Sequence, residues 1–104
     1  MSETRCYMVI TAVVHDREAF LSGYAAATAP LVERFGGRYV MRGPGAQALE
    51  GGFGEGGSVA ISEWPDREAA LRFWNSPDYA EARPLREGLA DVQVVLVDAP
   101  KFTA

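Results

Sequence analysis

The chain has 104 residues and a mass of 11.3 kDa, room for one domain and too little for two, each of which would need disulfides or metal to hold a core. Its 48% apolar and 23% charged residues exclude disordered, collagen-like and coiled-coil classes. A net charge of -4 and a pI near 4.9 count against nucleic acid and anionic membrane surfaces as partners, because both are bound through clustered Lys and Arg.

Nine of the ten basic residues are arginines, which suit fixed planar pairing with carboxylates. The single cysteine, Cys6, forms no intramolecular disulfide, and a reducing, cytoplasmic location is the expectation. Met8 to Val14 is apolar but lacks a basic leader and a small-residue cleavage site, so it reads as a strand rather than a signal peptide. No apolar run approaches the roughly 18 residues that span a bilayer.

In chain order, Tyr7 to Val14 is β-like, and Asp16-Arg17-Glu18-Ala19 follows it. The same four residues recur fifty positions on as Asp66-Arg67-Glu68-Ala69, after the β-like run Ser58 to Trp64. Each copy reads as a strand-to-helix junction, with Asp accepting from orphan backbone N–H groups and Glu in the first turn. Capping explains these acids better than catalysis does. Phe20, Tyr24, Ala27, Leu31 and Phe35 then form one helical face ending at Gly36-Gly37. Pro30 predicts a kink or break in that helix, because its ring meets the carbonyl of Ala26.

Arg38 to Arg42 is the next β-like run, with Ala46 to Glu50 as a candidate extension. Seven of the eleven glycines lie between Gly43 and Gly57, which predicts a long connection without regular structure. In the second half Ala70, Phe73 and Trp74 form a helical face, and Ser76-Pro77 predicts a fresh N-cap and first helical residue. Pro84 interrupts that short helix before Gly88, and Val92 to Val97 is the last strand. The order is therefore a ferredoxin-like βαββαβ: an α+β domain over residues 1–104, with helices on one face of an antiparallel four-stranded sheet.

Such a sheet should alternate apolar and polar residues if its second face is wet. Between Cys6 and Val14 only Thr11 is polar, and between Val92 and Val97 only Gln93 is. Both faces thus need cover, and a second copy of the chain is the simplest source: a two-fold homodimer burying on the order of 800 Å² per subunit.

Phe35-Gly36-Gly37-Arg38-Tyr39, Arg42-Gly43, Leu49-Glu50-Gly51 and Glu63-Trp64-Pro65 together resemble the DUF1330 family, a branch of the dimeric α/β-barrel superfamily. The resemblance continues through Ala69-Ala70, Trp74, Ser76-Pro77, Tyr79 and Arg86. It implies a dimeric α/β barrel, without naming a reaction. The superfamily includes cofactor-free monooxygenases, muconolactone-type isomerases and haem-binding enzymes, with pockets between sheet and helices. Two departures stand out: a looser Gly-rich loop after Gly51, and Trp64 where the family commonly has Phe.

Candidate chemistry is sparse. His15, the only histidine, stands at a strand end and is a candidate for proton transfer, with packing over Phe20 as the commoner alternative. One histidine without a Cys or carboxylate cluster offers no metal-ligand pattern, so no metal and no cofactor are expected. Glu63 interrupts an apolar strand. Either Arg42 anchors a ligand anion with Glu63 as base, or Arg42 or Arg38 pairs with Glu63 structurally, the reading favoured here. Tyr24, Trp74 and Tyr79, with Arg83 and Arg86, either line a pocket for a planar anionic ligand or pack the helices with arginines snorkelling outward.

Two functions follow. The first is a homodimer binding a small aromatic or anionic molecule in a sheet–helix cleft, with cofactor-free isomerase- or monooxygenase-like chemistry. The second is a non-catalytic dimerisation module with a filled core.

Overall fold

The structure, a computed structural model, describes residues 5–100. Strand β1 (Arg5–Val14) leads to Asp16, whose carboxylate accepts from the Ala19 N–H at 3.1 Å and starts α1 (Arg17–Phe20). One wide π turn, Leu21–Ala25, joins α1 to α2 (Ala26–Arg34). Pro30 lies inside α2 without breaking it, contrary to the sequence expectation. The irregularity falls one turn earlier. The wide turn directly precedes Ala26, whose carbonyl is the one Pro30 crowds and cannot donate to. Gly36, at φ 94°, then closes α2: its N–H donates to the Glu33 carbonyl and that of Gly37 to Val32, the paired bonds of a Schellman end.

Strand β2 (Arg38–Gly43) is followed by the Gly-rich connection and β3 (Ser58–Trp64). The expected extension over Ala46 to Glu50 is not a strand. Pro44 has no N–H to offer a ladder, and Gly45 turns the chain at φ 70°. Ala46 instead exchanges bonds with Gly56 and Gly57 at 2.8 and 2.9 Å, closing the loop on itself.

The second half repeats the first junction. Asp66 accepts from Ala69 N–H at 2.8 Å and opens α3 (Arg67–Trp74). Ser76 caps α4 (Pro77–Ala82), accepting from Tyr79 N–H at 3.1 Å while its hydroxyl donates to the Phe73 carbonyl at 2.8 Å. A 3₁₀ turn, Arg83–Arg86, forms around Pro84 and leads to β4 (Ala90–Ala99).

The sheet is antiparallel with strand order β2-β3-β1-β4, and Met8 sits opposite Ser62 and Leu96. This register turns Cys6, Met8, Ala12 and Trp64 toward the helices, where Val32, Ala70, Phe73 and Tyr79 complete the core. Phe73 is its hinge piece, 5.1 Å from the Trp64 ring and 4.7 Å from Tyr79 between centroids. Tyr7, Val9 and Val13 point the other way, beside Val97 and Val95 of β4 and Ile61 of β3. Among the described residues no helix or strand covers that second face; the Gly-rich loop reaches only the part near Thr11 and Val59. Val13, Val95 and Val97 are 46%, 50% and 42% exposed there, and the molecule is only 16 Å thick along its shortest axis.

Candidate functional site

Between the helix-facing side of the sheet and the helices lies a cavity of about 270 Å³, just below the usual range for small-molecule pockets. Its walls are mostly apolar: Ile10 and Val94 from the sheet, Phe20 and Val32 from the first helical segment, Phe73 and Trp74 from α3. The π turn places Tyr24 on this wall, and α4 places Tyr79 beside it. Such wide turns recur at functional sites because they add a residue to one helix face and re-aim its side chains.

Among the described residues that line the cavity, the only charged ones are Arg17 and Arg42. Both are exposed, as is Pro44 beside them, so they mark the mouth. Arg42 also lies over the Tyr39 ring, 5.5 Å from its centroid. An acidic protein therefore presents a positive rim to this one apolar hollow. The two copies of the repeated tetrapeptide diverge here. Arg67 is committed to Asp98 at 3.1 Å, whereas Arg17 has no carboxylate partner among the described residues.

Inside, the Tyr24 and Tyr79 hydroxyl oxygens are 2.8 Å apart. Burial, and then the neighbouring Tyr24, pushes the Tyr79 phenol well above its ordinary value. Burial likewise raises Tyr39, a third phenol on the wall. Arg86 places its guanidinium 5.2 Å over the Tyr24 ring, and its Nη1 is buried without a hydrogen-bond partner. Arg83 lies over Trp74 at 4.9 Å. The Thr28 hydroxyl is also buried and unpartnered.

Tyr24, Arg42, Trp74 and Tyr79, all singled out in the sequence, meet at this cavity, and Arg86 supports it from behind Tyr24. Glu63 and His15 do not join them. The register that turns Arg42 toward the helices turns Glu63 to the open face, with a bulge between Tyr39 and Met41 separating the two faces of β2. There Glu63 accepts from Tyr7 Oη at 2.7 Å and from Arg38 Nε at 2.9 Å. These two bonds hold its carboxyl below the usual glutamate range, and the same contact raises Tyr7. Arg42 is thus not the partner of Glu63; Arg38, the alternative, is. His15 turns its Nε2 to Asp91 at 3.0 Å on an exposed surface, away from the cavity.

Arg17, Phe20, Thr28 and Tyr39 were not singled out as site residues. Phe20 and Tyr39 fell within an element or motif, and Arg17 within a capping tetrapeptide. The signal that distinguishes Arg17 is the repeat itself: equivalent positions with different carboxylate partners. Among the described residues no three His, Cys, Asp or Glu side chains converge as a metal site would require. No described helix is long and apolar enough to cross a membrane.

An antiparallel ferredoxin-like sheet with helices on one face and a lined hollow beneath them defines the α+β class of this protein. The family pattern for the domain of unknown function DUF1330 matches residues 5–100, and the chain belongs to that family. No functionally curated protein matches it in sequence. A solved protein of unknown function from Rhodopseudomonas palustris is 24% identical, with a TM-score of 0.77 over 95% of this chain and 85% of its own. SnoaB, a cofactor-independent oxygenase from Streptomyces nogalater, is 22% identical, with a TM-score of 0.67 over 94% of this chain and 95% of its own. A protein from Arabidopsis thaliana is 15% identical, with a TM-score of 0.67 over 95% of this chain and 97% of its own. At these identities the likeness concerns the fold.

Proposed function

We propose that the chain acts as a homodimer that binds a small aromatic or anionic organic molecule in the sheet–helix cavity. The observation that carries this reading is the 270 Å³ apolar hollow with Arg17 and Arg42 as its only charged lining among the described residues. A module built only to dimerise has no use for such a space, since core cavities cost stability in proportion to their volume. Aromatic walls accept a planar body, and the rim cations attract and orient an anion.

The open face supports the dimer. Val13, Val95, Val97 and Met41 are exposed apolar residues on one sheet face, which a second copy of the chain would cover. Cofactor-free isomerisation or oxygenation is the chemistry we attach to this pocket, on the strength of its phenols and cations and of the fold shared with SnoaB. A reducing, cytoplasmic setting suits the buried thiol of Cys6.

The test is titration with 2-naphthoate, followed through tryptophan emission because Trp74 is on the wall. Saturable quenching is expected, and Ala60→Phe, which fills the cavity from the sheet, should abolish it. Absence of saturable binding by this ligand and by a panel of one- and two-ring acids would overturn the reading. Light scattering should report twice the 11.3 kDa chain mass.

A further inference from the structure

The inner wall holds two phenol hydroxyls with two hydrogens but a single bond between them, at 2.8 Å. Either oxygen can donate, and burial decides which does. Tyr79 is 1% exposed and its hydroxyl has no other hydrogen-bond partner among the described residues. Were Tyr24 the donor, the Tyr79 hydrogen would be buried without an acceptor, the costlier arrangement. Both residues line the cavity, and the deeper burial of Tyr79 favours it as the donor and Tyr24 as the acceptor. The uncommitted hydrogen belongs to Tyr24, which is only half-buried and lines the cavity.

Every nearby fixed charge pulls the same way. Arg86 lies over the Tyr24 ring, and Arg17 and Arg42 add positive potential at the mouth. Among the described lining residues there is no carboxylate and no histidine, so nothing in the cavity is built to take a proton from a neutral ligand. The raised Tyr79 keeps its proton and remains a donor at neutral pH.

Resting on the reading of the cavity as a ligand site, we infer that its ligand binds as a ready-made oxyanion, the enolate or phenolate of an acidic aromatic compound, accepting a hydrogen bond from Tyr24 Oη. Tyr79 is the positioning residue that fixes the direction of that donor. The substrate class is thus narrower than small aromatics. It comprises compounds acidic enough to ionise in water before they enter.

The experiment compares 2-hydroxy-1,4-naphthoquinone, ionised in neutral buffer, with its 2-methoxy ether, which has the same rings and no ionisable oxygen. Affinity is read by tryptophan quenching and the bound form by its visible absorption. The wild-type protein should bind the hydroxy compound as its coloured anion and about tenfold or more tighter than the ether, as a hydrogen bond to a charged group warrants. Tyr24→Phe should weaken the hydroxy compound about tenfold and the ether less than threefold. Tyr79→Phe should narrow the ratio between the two ligands, a readout that loss of packing alone would not move. Equal affinity for both compounds in the wild type, or an unchanged ratio in Tyr24→Phe, overturns the inference while leaving the cavity a ligand site. Failure of both compounds to bind overturns the inference, and failure of 2-naphthoate and the panel of acids as well overturns the ligand-site reading. Circular dichroism melting establishes that each variant is folded.

Discussion

Gly37 offers the sharpest test of how the core is assembled. A Cβ built there would lie 2.8 Å from three atoms of the Trp64 six-membered ring, a distance at which something must move. Trp64 is poorly placed to yield. It is fully buried, its Nε1 donates to Ser62 Oγ at 2.9 Å, and its ring packs 5.1 Å from Phe73. Overpacking of this kind costs about 1–3 kcal/mol. Replacing glycine also restricts the unfolded chain, which offsets up to about 1 kcal/mol, since Gly37 is not among the positive-φ glycines. With Trp64 held on both sides the cost lies at the upper end, about 2–3 kcal/mol, so after an offset of about 1 kcal/mol Gly37→Ala should destabilise the protein by about 1–2 kcal/mol, lowering the melting midpoint by roughly 4–16 °C for a domain of this size. The assay is circular dichroism melting at fixed protein concentration, because self-association would make the midpoint depend on it. Trp64→Phe removes the outer ring that the new methyl meets, so the double variant should lose less than the sum of the single losses. A Gly37→Ala midpoint within 2 °C of wild type, or strictly additive losses, would refute the close approach of Gly37 to Trp64 as the cause.

Three further outcomes follow from the site and the open face. Arg17→Gln and Arg42→Gln should each weaken 2-naphthoate about three- to fivefold at low salt and less at high salt, the signature of exposed charges; titrations at two ionic strengths measure it. Glu63 carries a depressed carboxyl, so its contribution is complete above the ordinary glutamate range and is lost as pH falls through the lower folded value. Glu63→Gln should accordingly flatten the acid limb of stability between about pH 5 and pH 3, checked by melting at a series of pH values. Val95→Lys places a charge on the open face of the edge strand β4 and should shift the light-scattering mass toward 11.3 kDa, while the helix-side cavity still binds ligand.

Much of the fold was legible because its signals are local. Asp16, Asp66 and Ser76 announce helix starts through side chains that reach only three residues along the chain. The failure at Pro30 is instructive for the same reason. A proline's clash with the preceding turn is local, but whether the helix breaks or widens depends on what packs around that turn, here the wall of the cavity. The extension over Ala46 to Glu50 failed because an apolar pair resembles a strand in sequence, while Pro44 and Gly45 had already turned the chain.

The site divides along the same line. Residue type and helical spacing singled out Tyr24, Trp74, Tyr79 and Arg86, whereas Arg42 was reached through an expected neighbourhood with Glu63 that the register does not form. The chain by itself determined the duplicated βα junctions, the apolar character of both sheet faces and the family. Tertiary structure alone decided which side of the sheet each residue meets. One bulge in β2 puts Arg42 in the cavity and leaves Arg38 on the open face with Glu63. It also decided that Arg17 lies at the mouth without a carboxylate partner among the described residues while its repeat, Arg67, is bound to Asp98. Side-chain facing in a strand has a period of two, so a single residue of register reverses it, and register is set by pairing with strands distant in the chain.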